Sequence, residues 1–170
     1  MASFSMHLAI AKLYLEKHSE EDEDEFIKGT LAPDLTNDKA TTHYGKDSAW
    51  ANPSKYIQEN GKSIENNFKR GYFLHLVTDY LFNHNLIDID ELIAKLGLDE
   101  WISSQRSDYS ILEGEIVDKY QIQDWVDKLP ENIRKVMIRA EGELKIFERD
   151  SLFKFLEDMA KIDLDKMIES

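Results

Sequence analysis

His75 and Asp79 stand four residues apart in the segment Gly71-Tyr72-Phe73-Leu74-His75-Leu76-Val77-Thr78-Asp79-Tyr80. At about 3.6 residues per helical turn they share one face, so an imidazole nitrogen and a carboxylate oxygen can reach the same divalent ion. A hydrogen bond between the two side chains inside a core would use the same spacing. Three further residues favour the ion. Asp34 and His43 lie in a polar stretch and offer a second carboxylate–imidazole pair, and His7 interrupts the apolar run Met6-His7-Leu8-Ala9-Ile10-Ala11. Gathering so many ionisable groups beside apolar helices is costly unless a cation compensates them. Mixed nitrogen and oxygen ligands suit zinc, and also iron, manganese or nickel. All five histidines (His7, His18, His43, His75 and His84) fall in the first half of the chain.

Helices must position these residues. The spacing of His7, Ile10, Ala11, Tyr14 and His18 predicts a first helix over about Ser5 to Lys17. The acidic run Glu20 to Glu25 after Ser19 reads as a capped helix start that complements the helix dipole, and Gly29 and Pro33 mark that helix's exit. Between Leu35 and Pro53 periodicity fades, and a polar loop of that length in a small domain is often functional. From about Ser63 to Leu81 the pattern is strongly helical and apolar on most sides, which places this helix in the middle of the fold. Further helices are expected at about 89–96, 108–119, 122–129, 131–147 and 150–160, broken at Gly97, Ser103-Ser104 and Pro130. No alternating strand pattern competes with them. The expectation is one all-α domain over residues 1–170, a multi-helix bundle around a central helix.

Composition narrows the functions available. A chain of 170 residues that is 42% hydrophobic can fill a single core. The absence of cysteine excludes disulfides and thiolate metal sites. No apolar run approaches the roughly 20 residues of a membrane span, and the first residues lack the pattern of a signal peptide, so a cytoplasmic location is expected. With 34 acidic against 21 basic residues the net charge is −13, which disfavours direct nucleic-acid binding. Such a chain can still act on a phosphate ester if metal cations supply the positive field.

Four segments come in order: Met6-His7-Leu8-Ala9-Ile10-Ala11, Gly29-Thr30-Leu31-Ala32-Pro33-Asp34, Lys39-Ala40-Thr41-Thr42-His43-Tyr44 and Gly71 to Tyr80. Over about residues 6–85 the chain resembles the bacterial zinc-dependent phospholipase C family, in particular its short cytoplasmic members. The resemblance implies a phospholipase C/P1 nuclease-like helical fold and a metal-dependent hydrolase of phosphate esters, a phosphodiesterase or phospholipase C-like enzyme. It further implies that Asp34, His43, His75 and Asp79 hold one ion and that Asp79 bridges to a second, with His7 as a ligand of that second ion. Asp34 would also orient or deprotonate the attacking water, and His84 would match a histidine of the remaining family metal. The family's amino-terminal ligand and its later histidine have no match here. One or two ions, most simply zinc, are therefore implied unless carboxylates such as Asp108 or Glu113 substitute.

Other residues have plainer readings. His18 lies three turns from His7, too far to share its ion, and reads as a surface residue. Asp108 reads as a helix cap. Trp50, Trp101 and Trp125 read as core or interface, and Lys39, Lys46 and Lys69 as solvated lysines or as holders of a substrate phosphate. The substrate class is a small phosphate ester or a phospholipid head group. Two alternatives stand beside the hydrolase: a non-catalytic helical domain stabilised by metal, and a helical interaction module with a hydrogen-bonded His/Asp core.

Overall fold

The first helix forms where Ser3 accepts a hydrogen bond from the Met6 backbone N–H, and it runs as α1 over Phe4–Lys17. Its residues from Ser5 to Ala11 are all buried. A computed structural model describes residues 2–169, and among these it contains eleven α-helices and no strand. The all-helical expectation holds.

Asp22, rather than Ser19, caps the second helix, α2 (Glu23–Leu31), with Glu23, Asp24 and Glu25 in its first turn. Glu20 is instead held by Arg70 at 3.0 Å. A 3-10 turn over Ala32–Asp34 follows and carries Asp34 inward. The stretch read as a loop contains the short helix α3 (Lys39–His43), capped by Asp38, and ends where α4 (Pro53–Asn60), capped by Asn52, begins. Between them a 3-10 turn over Ser48–Trp50 is capped by Asp47. Short polar segments rich in Asp and Asn hide such turns from any test of periodicity, because capping rather than an apolar stripe drives them.

The central helix, α5, spans Asn67–Leu81 and buries Gly71, Phe73, Leu74, His75, Leu76, Val77, Thr78 and Asp79. It lies against α2 at a pair of glycines. A Cβ on Gly29 would overlap the Phe68 carbonyl oxygen, and a Cβ on Gly71 would overlap the Phe26 carbonyl oxygen. Only residues without side chains allow the two backbones this close.

Beyond α5 a π-turn (Phe82–Leu86) leads to α6 (Ile89–Leu96) and then to α7 (Leu98–Tyr120). The long helix α7 corrects the expected break at Ser103-Ser104. Trp101 is fully buried, and Ser104 turns inward, its hydroxyl donating to Glu100, so the helix continues through both serines. The expected helix over 131–147 is a second correction. Only α9 (Glu131–Arg134) forms there, preceded by α8 (Gln123–Asp127). Asp108 accounts for the far end of that stretch: its buried carboxylate accepts backbone N–H bonds from Lys145, Ile146 and Phe147 at 2.7, 2.8 and 3.0 Å. Those amides are therefore unavailable to a helix. Two carboxy-terminal helices, α10 (Arg149–Met159) and α11 (Leu164–Glu169), close the bundle.

One large apolar core runs from Met6, Leu8 and Ile10 through Phe73, Leu74 and Leu76 to Leu112, Ile116, Leu152 and Leu156. No helix among the described residues is long and apolar enough to cross a membrane.

Candidate metal centre

Four elements deliver the side chains. α5 presents His75 and Asp79 on one buried face, α3 ends on His43, the 3-10 turn after α2 presents Asp34, and α1 presents His7. Asp34, His43, His75 and Asp79 each offer one ligand atom, and these four atoms lie within 4.8 Å of one another. His43, His75 and Asp79 are almost wholly buried, whereas Asp34 reaches the wall of a cleft.

The ring nitrogens are oriented by backbone carbonyls. His75 Nδ1 lies 2.6 Å from the Thr30 carbonyl oxygen, and His43 Nδ1 lies 2.9 Å from that of Lys39. In each neutral ring Nδ1 therefore carries the proton, which leaves Nε2 as a bare lone pair. Those two Nε2 atoms face each other at 3.2 Å. Two lone pairs cannot bond to one another, so only a cation, a proton or a metal ion, reconciles them. Asp79 Oδ2 stands 3.1 Å from both, and Asp34 Oδ1 stands 3.3 Å from His43 Nε2 and 3.6 Å from His75 Nε2.

Each carboxylate has its other oxygen turned toward His7. His7 Nε2 is 3.2 Å from Asp79 Oδ1 and 3.9 Å from Asp34 Oδ2. The His7 ring also stacks on that of His75, with centroids 3.6 Å apart. Asp34 and Asp79 thus each turn one oxygen toward His43 and His75 and the other toward His7. The amino-terminal segment covers the His7 side, where the Ala2 backbone N–H donates to Asp79 Oδ1 at 2.9 Å.

Electrostatics agree with a site built for positive charge. Burial works against a charged His75, yet the Asp34 and Asp79 carboxylates outweigh it and raise its pKa. His43 shifts upward in the same way, against its burial, through hydrogen bonds with Asp34 and Asp79. Burial likewise opposes ionisation of Asp34 and Asp79, but nearby positive charge holds both below the usual carboxylate range, from the imidazoles of His75 and His43 at Asp34 and from the amino-terminal charge and then the imidazoles at Asp79. His7, buried and next to His75, is pushed down and stays neutral. Without metal, protons occupy the place a divalent ion would take.

His84 stands apart from this group. It is exposed on the π-turn, where its Nδ1 lies 2.6 Å from the Tyr80 carbonyl oxygen and its ring stacks on Tyr80. Nine residues from His75, it lies on the opposite side of the helix, and the π-turn does not return it to the His75 face. His18 packs on Tyr14, with Nε2 3.2 Å from the Ala160 carbonyl oxygen. Asp108 is committed to the three amides of residues 145–147 and is not a substitute ligand. Trp101 is core and Trp125 is half-buried against the core, whereas Trp50 is exposed at the cleft and not a core residue.

A cleft of about 970 Å³ opens beside the cluster, with Asp34, Trp50, Gln105, Tyr109 and Glu113 in its walls. Lys39, Lys46 and Arg106 supply its positive charge. Lys39 Nζ is 3.9 Å from Asp34 Oδ1, and Lys46 Nζ sits 5.8 Å from the centre of the Trp50 ring. Lys69 lies on α5 outside the cleft lining. Sequence reasoning missed Arg106 and the two carbonyls of Thr30 and Lys39. Backbone groups carry no sequence signal, but two glycines inside otherwise regular helices, Gly29 and Gly71, are the trace of the close approach that brings Thr30 to His75. No family model matches the chain, and no curated protein or solved structure matches it either.

Proposed function

We propose that this chain is a metal-dependent hydrolase of phosphate esters, acting in the cytoplasm at a centre bridged by Asp34 and Asp79. One observation carries the metal: two imidazoles with Nδ1 tied to carbonyls and Nε2 lone pairs opposed at 3.2 Å, each beside the same Asp79 oxygen. His43, His75, Asp34 and Asp79 would hold one divalent ion, and His7 with the other oxygens of Asp34 and Asp79 a second. Zinc suits such nitrogen and oxygen donors. Ions held there lower the pKa of water and offset charge on phosphoryl oxygens.

The step from metal to hydrolysis rests on the cleft. A purely structural zinc site is closed on all sides, whereas a catalytic one keeps a position open. Asp34, at the cleft wall, would take a proton from the attacking water. Lys39, Lys46 and Arg106, which line the same cleft, would hold the ester's phosphate, and this local positive charge answers the −13 of the whole chain. The order Asp34, His43, His75, Asp79 and the placement of His7 support the phospholipase C/P1 nuclease-like reading of the fold. Were the chain to start at Ala2, that residue's nitrogen, 2.9 Å from Asp79 Oδ1, would be an amine able to join the second ion.

The test is turnover of a phosphodiester such as bis(p-nitrophenyl) phosphate by metal-loaded protein, chelated protein and His75→Ala. Turnover that is lost on chelation, restored by zinc and absent in His75→Ala is expected. Equal turnover in all three would overturn the proposal. A second reading, a non-catalytic domain tied by metal, is favoured by the burial of His43, His75 and Asp79. Stoichiometric metal without turnover would select it.

A further inference from the structure

Glu113 is a buried carboxyl group that the metal centre does not use. It lies on α7 in the cleft wall and is only 6% exposed. Its Oε1 is 2.8 Å from the Ser5 hydroxyl, and its Oε2 is buried with no hydrogen-bond partner. An ionised carboxylate left with a bare buried oxygen would be strongly destabilising, whereas a neutral acid leaves only a carbonyl oxygen there. Burial also raises the Glu113 pKa, and the opposing influences are the hydroxyls of Ser5 and Ser3 and the guanidinium of Arg139.

Ser5 Oγ and Glu113 Oε1 lie 2.8 Å apart, a bond in which the Ser5 hydroxyl donates to an ionised Glu113 and in which a neutral Glu113 protonated at Oε1 can donate instead. In that second state Ser5 can donate to Ser3 Oγ, 3.2 Å away. Ser3 Oγ accepts the Met6 backbone N–H at 3.4 Å, which leaves its own proton available to donate. Ser3 lines the same cleft as Asp34.

We propose that Glu113 is the proton store of the cleft and that the Ser5 and Ser3 hydroxyls pass its proton to the leaving-group oxygen of the ester. This rests on the hydrolase reading above. Water oxygen bonds to phosphorus as the bond from phosphorus to the leaving oxygen breaks. The proton of Ser3 goes to that oxygen, Ser5 resupplies Ser3, and Glu113 resupplies Ser5 and becomes a carboxylate. The water's proton goes to Asp34, and solvent later returns a proton to Glu113. The products are a phosphomonoester and an alcohol. Glu113 acts through the serines and is not a metal ligand.

Leaving-group dependence tests this, because a nitrophenolate departs without a proton and an alkoxide does not. Zinc-loaded wild type, Glu113→Gln and Ser3→Ala are compared on bis(p-nitrophenyl) phosphate and on a dialkyl phosphodiester, with metal content and melting measured alongside. Gln keeps the size and a hydrogen bond to Ser5 but has no acidic proton to give, so the fold should tolerate it. General acid help is worth about 100-fold or more, so the ratio of alkyl to nitrophenyl kcat/KM should fall by about that factor in both variants, at wild-type metal content. An unchanged ratio would overturn the relay even where both rates fall. Loss of a metal equivalent in Glu113→Gln would also overturn it, by making Glu113 a ligand. Wild-type protein that turns over neither ester would refute the hydrolase reading first and the relay with it.

Discussion

Replacing Gly71 with alanine tests how the fold builds the metal centre. In an ordinary helix interior this change stabilises by roughly 0.5–1 kcal/mol, because glycine has more backbone entropy to lose. Here the new Cβ would overlap the Phe26 carbonyl oxygen and sit 3.0 Å from the Phe26 carbonyl carbon and 3.1 Å from the Thr30 nitrogen. Ordinary contact begins at 3.4 Å, and the overlap with the oxygen is deeper than these two approaches, so α2 and α5 must part by more than about 1 Å at this point. Overpacking costs about 1–3 kcal/mol, with unyielding backbone at the top of that range. The net is a loss of about 2 kcal/mol, and at roughly 2–4 °C per kcal/mol for a domain near this size the melting temperature falls by about 4–8 °C. The same parting stretches the bond from His75 Nδ1 to the Thr30 carbonyl, 2.6 Å in the native protein, past about 3.1 Å. Loss of such a ligand-orienting partner typically lowers metal affinity by about 10–100-fold. Calorimetry and zinc competition with a chromogenic chelator read both effects. Gly114→Ala is the control, because its Cβ would meet only the movable Arg139 side chain at 3.3 Å, and it should leave melting unchanged or raise it. If Gly71→Ala raised the melting temperature and kept its zinc affinity, the glycine crossing would not be what sets the site.

Three further outcomes are expected. His43→Ala and His75→Ala should lose bound metal while His18→Ala and His84→Ala keep it, measured by elemental analysis; metal retained by His75→Ala would contradict the site. In chelated protein, His75 has a folded pKa raised to about 10, above an unfolded value of about 6.5. The folded state then holds a proton that the unfolded state releases, so stability falls as pH rises from about 6.5 toward 10. Zinc in the proton's place should flatten that fall, and parallel denaturant curves with and without zinc would test it. Asp108→Asn should destabilise by about 3 kcal/mol, since a buried carboxylate accepting three amide bonds is replaced by a group that donates. Its metal content should stay the same, and loss of metal in that variant would place Asp108 in the centre after all.

The parts of the fold legible in the sequence were those with an apolar period. α1, α5, α6 and α10 announce themselves by spacing, and so did the ligands that ride on them, His7, His75 and Asp79. Asp34 and His43 were legible as residue types within a polar stretch, though the short capped turns that aim them were not. His84 was misleading because the family resemblance alone put it forward: nine residues from His75 it falls on the far side of an ideal helix, and the π-turn does not bring it back. The stretch after α9 has helical composition, but one distant carboxylate, Asp108, takes the amides at its far end, and no local pattern encodes a bond across 37 residues. The role of α7 as a cleft wall was hidden for a similar reason, since Ser5 and Glu113 meet across 108 residues.

The opposed lone pairs of His43 and His75 call for a bound metal ion. The direct measurement is the metal content of untagged protein purified without chelator, followed by its melting temperature before and after chelation. With free zinc at about 1,000 times the dissociation constant, binding stabilises by roughly 4 kcal/mol, which at about 2–4 °C per kcal/mol is a shift of about 8–16 °C. The account predicts roughly one to two divalent ions per chain, as such nitrogen–oxygen sites hold, and a reversible fall in melting temperature of that size on chelation. Less than about 0.2 ions per chain, with a melting temperature unmoved by either chelator or added zinc, would contradict it.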